Sequence, residues 1–228
     1  SGEALFGTID AYLIYRLTHG AVYATDHTNA SRTLFYDIAR LGWSDELLSI
    51  FGVKLPHLPE IRESCAQFGA TDLEGRLPAS ITGSLPICGV MGDSQGAFFA
   101  QRCFTPGSAK ITFGTGSSVL MNIGDKPVLS PSGIVTAIGW VLDGRPTYAF
   151  EGITNFTGAT IAWLRDQLQL IDDVASTEAI AATVPDTGGV YLVPAFAGLS
   201  APYWRPDARA TITGLSPSST RAHVVRAA

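Results

Sequence analysis

The stretch CGVMGDSQGAFFAQ, Cys88 to Gln101, breaks off an apolar run with Gly92-Asp93 and resumes as a small-residue helix. In open α/β sheets ligands bind at the carboxyl ends of strands, and an acid placed there can take a proton from a hydroxyl. The same spacing fits an N-cap aspartate for the helix that follows. A second stretch, FGTGSS (Phe113 to Ser118), puts two glycines and three hydroxyl residues into a tight turn. Successive backbone N–H groups in such a turn can form a nest for an anion, phosphate above all, although an ordinary glycine hairpin reads the same way. No Gly-Lys-Ser/Thr follows, so it is not a P-loop. In a third stretch, NFTGAT (Asn155 to Thr160), Gly158 near a helix start lets a flat or charged group approach the backbone closely, although a packing glycine reads the same way.

Other chemistries have little support. His19, His27, His57 and His223 show no metal-ligand spacing with one another or with cysteines and acids. His27, in a polar loop, is the one placed to touch a substrate; the others read as surface or caps. There is no Gly-x-Ser-x-Gly elbow. Trp140, Trp163 and Trp204 read as packing. The three cysteines, Cys65, Cys88 and Cys103, are odd in number and lack Cys-x-x-Cys spacing, which favours a reducing, cytoplasmic compartment; Cys88 reads as core. A net charge of −5 without a basic block argues against a nucleic-acid partner. No stretch approaches the roughly 20 apolar residues of a membrane span, and no signal peptide opens the chain.

The elements that must position these residues alternate along a chain of 228 residues, 46% of them hydrophobic. Thr8 caps a helix over Ile9–Leu17 with Leu13, Ile14 and Leu17 on its apolar face, stopped by Gly20. The polar stretch Tyr23–Thr33 reads as a structured loop. Ser44 caps DELLSIF, which Gly52 ends. Pro56 to Pro86 is loop-rich, and Leu85–Met91 suits a buried strand. A helix over Gly96–Arg102 follows. SAKITF and SVLMNI flank the glycine turn as strands, and Asp143-Gly144 is a hairpin signal inside GIVTAIGWVLDGRPTYAFEG. Thr154–Leu170 is an amphipathic helix with Ile161, Leu164 and Leu168 on one face. Asp173–Ala182 is another helix, GVYLVPAF a buried strand, ATITGL a strand, and STRAHVVRAA a helix capped by Ser219 or Thr220. The pattern is α/β, with a composition shift near Phe104–Gly107 marking a lobe boundary.

Six ordered segments together resemble the FGGY family of carbohydrate kinases, especially its glycerol-kinase branch: FGTIDAYLIYRLT, TDHTNASRTLFYDI, GVMGDSQGAFFAQ, GSAKITFGTGSSVLMNIG, GATIAWLRD and VPAFAGLSAPYW. The resemblance covers nearly the whole chain. It implies an actin-like ATPase fold of two ribonuclease-H-like lobes with ATP and sugar in the cleft between them. Residues 1–103 would be the end of the first lobe and 104–228 the start of the second. By the same resemblance, Asp93 is the catalytic base, taking the proton of the substrate hydroxyl as it attacks the γ-phosphoryl of ATP. Gly114, Thr115 and Gly116 approach the β- and γ-phosphates, Gly158 contacts the nucleotide, and magnesium bridges the phosphates. The implied partners are ATP and a small polyol or sugar, with a homo-oligomer left open.

This sequence departs from the family pattern at three positions. The residue after the catalytic Asp, Gln in typical glycerol kinases, is Ser94. The aromatic that packs on glycerol corresponds to Ser118. The position four after Gly158, often Gln in that branch, is Ala162. Two small hydroxyls enlarge the pocket and imply a substrate longer than glycerol, such as a tetritol, pentitol or ketose. The family's first phosphate loop, its early sugar contacts and its later Gly-Gly adenosine motif are not in this stretch. Both ends read as cut, so the polypeptide alone is expected to show little or no turnover. A non-catalytic sugar- or nucleotide-binding module of the actin-like class is the competing reading. An acetate-kinase or chaperone type is opposed by TDHTNASRT and APYW, which resemble only the FGGY group.

Overall fold

The computed structural model describes residues 5–54, 57–76, 78, 80, 81 and 83–228. Helix α1, Ile9–Leu17, starts after Thr8 as expected, but its buried positions are Ala11 and Ile14, with Leu13 half exposed. Ile14 packs there with Ala24 and Phe68, and Thr18 closes the end of the helix. Thr18 is buried, its hydroxyl donates to the Ile14 carbonyl at 2.8 Å, and it accepts from the Val22 N–H at 3.1 Å. Within the stretch Tyr23–Thr33, residues 24–30 are regular rather than loop, and 31–33 form a turn. Strand β1, Ala24–Asp26, runs parallel to β4, Glu60–Arg62, and helix α2, His27–Ala30, begins directly after it. A polar sequence can be buried here because the Asp26 side chain satisfies the local donors.

Strands β2, Tyr36–Asp37, and β3, Gly42–Trp43, form a short ribbon. Helix α3, Asp45–Ile50, is capped by Ser44, which accepts from the Leu47 N–H at 3.2 Å. Strands β5, Ala70–Thr71, and β6, Leu85–Pro86, pair antiparallel. Residues 56, 77, 79 and 82 of the loop-rich stretch lie outside the described residues.

The expected buried strand Leu85–Met91 ends at Pro86, and Cys88 is exposed rather than core. Its backbone pairs irregularly: Ile87 exchanges bonds with Phe68 and Gly69, and Val90 donates to the Ser64 carbonyl at 2.9 Å. These partners change strands too quickly for a ladder to form. Helix α4 runs Asp93–Ala100, three residues earlier than expected, with Gly92 as N-cap.

Strands β7, Ala109–Phe113, β8, Ser117–Gly124, β9, Val135–Leu142, and β10, Arg145–Thr154, hydrogen-bond in the order β7-β8-β10-β9. The Asp143-Gly144 turn has φ of 50° and 71°, both in the left-handed region, as a type I′ hairpin requires. Helix α5 is Gly158–Asp166, because Thr154 still belongs to β10. Leu164 is its fully buried anchor, whereas Leu168 lies past its end and is exposed.

Asp173 caps a short 3₁₀ turn that leads into α6, Thr177–Ala181. Strand β11, Tyr191–Val193, pairs antiparallel with β12, Thr211–Thr213. The pair is a ribbon with one covered face: Leu192 and Ile212 pack inward while Tyr191 and Val193 are exposed. Helix α7, Arg221–Ala227, opens on a Thr220–His223 capping box.

The chain divides into two compact units, Ser1–Lys110 with Met121–Val128 and Thr136–Phe150, and Ile111–Leu120 with Leu129–Val135 and Glu151–Ala228. In the first, Ala30 and Tyr36 pack with Ile138, Val141 and Tyr148 of the β9–β10 hairpin, and the Tyr148 hydroxyl donates to the Ile38 carbonyl at 2.7 Å. Trp140 is buried among Phe98, Phe99 and Phe104. In the second, Leu164, Ile171, Val190, Val224 and Val225 form the core. Trp163 packs on Phe196, but Trp204 is 57% exposed, with its indole N–H donating to the Gly133 carbonyl. Among the described residues no helix is long and apolar enough to cross a membrane.

Candidate active site

Asp93 is the first residue of α4, exposed, where a carboxylate is favoured by the helix dipole. It is not the cap. Its Oδ1 accepts the N–H of Ser94 at 2.7 Å, which leaves Oδ2 for a ligand. The peptide that carries it is held from below. The Gly92 N–H donates to Thr28 Oγ1 at 2.8 Å. Thr28 in turn donates to the Asp26 carboxylate, at 2.8 Å to Oδ2 and 3.0 Å to Oδ1. Asp26 is fully buried and also accepts from the Thr28 and Asn29 N–H groups, from Asn29 Nδ2 at 2.7 Å and from Ser64 Oγ at 2.6 Å. Five donors converge on one carboxylate, which is how a buried charge is made tolerable.

The glycine turn in the second unit is held by its carbonyls. Gly158 N–H donates to Gly114 O at 3.0 Å, and the Thr157 and Ala159 N–H groups donate to Thr115 O at 2.9 and 3.1 Å. The start of α5 therefore satisfies its own free donors on the turn. The N–H groups of Thr115 and Gly116 take no part in these bonds. Gly158 is a packing glycine in this sense: a Cβ there would lie 2.7 Å from Gly114 O. A Cβ on Gly116 would lie 2.5 Å from Thr154 O and 2.8 Å from Asn155 O. Ser117 Oγ and Thr157 Oγ1, 2.7 Å apart, close the side of the turn. Ser118 Oγ is buried and lacks a hydrogen-bond partner among the described residues. Ala162, one turn after Gly158 on the same face of α5, is half-buried.

His27 does not project into open solvent as a loop residue would. It is half-buried, and its Nδ1 lies 2.7 Å from the Tyr36 hydroxyl. Burial pushes its imidazole below the ordinary 6.5, against the opposing pull of the Asp26 and Glu63 carboxylates. Burial, aided by Tyr148, Asp26 and Asp37, pushes the Tyr36 phenol well up, so it stays protonated. A depressed histidine pKa means that the unfolded chain binds the proton more readily. Stability contributed here is present above 6.5 and is lost as pH falls from 6.5 toward the lower folded value. Melting temperature measured against pH should fall across that window, and His27→Gln should flatten the dependence.

Of the residues singled out from sequence, Asp93 and Ser94 lie in the first unit, and Gly114, Thr115, Gly116, Ser118, Gly158 and Ala162 in the second. Gly114, Thr115, Gly116 and Gly158 come together, and of the glycines Gly116 and Gly158 answer to backbone packing. Sequence reading missed Asp26, Thr28 and Ser64. The signal for Asp26 and Thr28 was present in TDHTN, where an Asp precedes Thr and Asn at the spacing of a helix cap, whereas Ser64 joins them only across 38 positions.

Residues 3–100 match the N-terminal domain, and residues 109–228 the C-terminal domain, of the FGGY family of carbohydrate kinases. The chain belongs to that family and has its actin-like ATPase fold. Glycerol kinase of Halorhodospira halophila is 50% identical over 227 residues, 99% of this chain and 44% of that protein. Glycerol kinase of Carboxydothermus hydrogenoformans is 51% identical over 228 residues, 100% of this chain and 45% of that protein. The crystal structure of Plasmodium falciparum glycerol kinase with ADP matches with a TM-score of 0.85 and 41% identity, over 99% of this chain and 44% of that one. The chain thus spans under half the length of the relatives it matches.

Proposed function

We propose that the whole protein is an ATP-dependent carbohydrate kinase that transfers the γ-phosphoryl of ATP to a hydroxyl of a polyol or sugar. Residues 1–103 belong to its first lobe and 104–228 to its second. The observation that carries the reading is the Asp93 carboxylate, exposed on the first turn of α4, with its supporting peptide tied to a buried charge. Asp93 accepts the proton of the substrate alcohol, and Ser94 stands beside it toward the substrate. Gly114, Thr115 and Gly116 hold the phosphates; Thr115 and Gly116 contribute N–H groups, and the carbonyls anchor the turn to α5. Gly158 and Ala162, one turn apart on α5, contact the nucleotide in this reading, Gly158 packing on the glycine turn as well. Among the described residues no group of three acids, histidines or cysteines could hold a metal. Magnesium would ride on the phosphates, where it neutralises developing charge. The site calls for neither nucleic acid nor lipid, and the enzyme is placed in the cytoplasm.

Ser94 and Ser118 stand where the glycerol branch carries larger groups, which leaves room for a larger acceptor. The substrate is therefore longer than glycerol: a tetritol, pentitol or ketose. ADP release by the full-length protein over a panel of glycerol, tetritols, pentitols and ketoses should be greatest with one of the longer acceptors. Glycerol as the best substrate would refute the enlarged pocket, and no ADP release with any acceptor would refute the kinase.

A further inference from the structure

We propose that Asp26, acting through Thr28 and Ser64, is the positioning residue of the catalytic Asp93; the inference rests on the kinase reading above. A threonine hydroxyl carries one proton. Thr28 Oγ1 lies 2.8 and 3.0 Å from the two oxygens of Asp26, and an ionised carboxylate accepts but cannot donate. The Thr28 proton is therefore directed at Asp26, and a lone pair of the same oxygen faces the Gly92 N–H, 2.8 Å away. The charge fixes the polarity of the hydroxyl and strengthens it as an acceptor, because bonds in a chain polarise one another.

A second arm reaches the same segment. Ser64 donates its hydroxyl to Asp26 Oδ2 at 2.6 Å, while its backbone carbonyl accepts the Val90 N–H at 2.9 Å. Val90 and Gly92 are thus clamped, two residues apart, on one buried carboxylate, and Asp93 is the next residue. Neither Asp26 nor Thr28 has exposed surface with which to touch a substrate. Their effect reaches the chemistry only through the placement of Asp93, where an error near 1 Å costs about 100-fold in rate.

The test is steady-state kinetics on the full-length protein with ATP and its best acceptor. Thr28→Val keeps the shape and removes the acceptor. It should lower kcat by about 10- to 100-fold while the KM values for ATP and acceptor stay within about threefold, and Thr28→Ser should restore the rate. In an Asp93→Asn background Thr28→Val should have no further effect on kcat, since a group that acts through Asp93 has nothing left to position. An unchanged kcat in Thr28→Val, or a full additional loss in the Asp93→Asn background, overturns the proposal. So does loss of the fold in both Thr28→Val and Thr28→Cys while Thr28→Ser stays folded and active, which would assign the hydroxyl to folding. An Asp93→Asn protein of normal activity would instead overturn the kinase-base reading itself.

Discussion

Asp93→Ala in the full-length protein should lower kcat by about 100- to 10,000-fold, the usual range for a general base, with acceptor and nucleotide binding retained. The structure supports that separation. Asp93 is exposed, its side chain bonds only the adjacent Ser94 N–H among the described residues, and α4 is tied to its surroundings through the Gly92 N–H and Gln95 rather than through that carboxylate. Removing it leaves no buried donor unpaired, so the fold should persist and the loss should appear in the chemical step. Turnover by the coupled ADP assay, with acceptor affinity by calorimetry, checks both halves. Retained turnover in the variant would remove Asp93 from the role of base, whereas no turnover by the unsubstituted protein with any acceptor would favour the competing reading, a non-catalytic binding module.

Gly116→Ala should raise the KM for ATP by about 10- to 100-fold and cost about 1–3 kcal/mol of stability, as overpacking does. The added Cβ would meet two backbone carbonyls, Thr154 O at 2.5 Å and Asn155 O at 2.8 Å. Backbone cannot turn aside as a side chain can, so the turn must move away from the end of β10. Its Thr115 and Gly116 N–H groups would move with it. Gly114→Ala is the control for the packing cost alone: there the nearest atom to the new Cβ is Gly116 O at 3.5 Å, an ordinary contact. Thermal melts of the two variants should differ accordingly, and ATP saturation curves of Gly116→Ala against the unsubstituted protein check the KM. A Gly116→Ala protein with normal KM for ATP would remove the turn from phosphate binding.

Local chemistry made several elements readable. Ser44 before an acidic first turn, Asp143-Gly144 between alternating apolar runs, and the strand–turn–strand around Gly114–Gly116 all appear where their residue types place them. Each is settled by neighbours within a few positions, through a cap, a left-handed turn or a period-2 face. The errors have one character. Leu85–Met91 has the apolar composition of a buried strand, but no strand ladder forms beside its end. Tyr23–Thr33 has a loop's composition, but tertiary bonds make residues 24–30 of it a buried strand and helix.

From residue types and their order alone came the α/β class, the family to which the chain belongs, and Asp93 and the glycine turn as the proposed places for chemistry. What the tertiary structure decided is why those residues stay where they are. Asp26 meets Ser64 across 38 positions, and Thr28 meets Gly92 across 64. The reason Gly116 must be glycine is the backbone at Thr154. Periodicity and propensity act over a turn or two of chain, whereas a buried charge must find its donors wherever folding brings them, so the clamp beneath Asp93 became visible only with the chain folded.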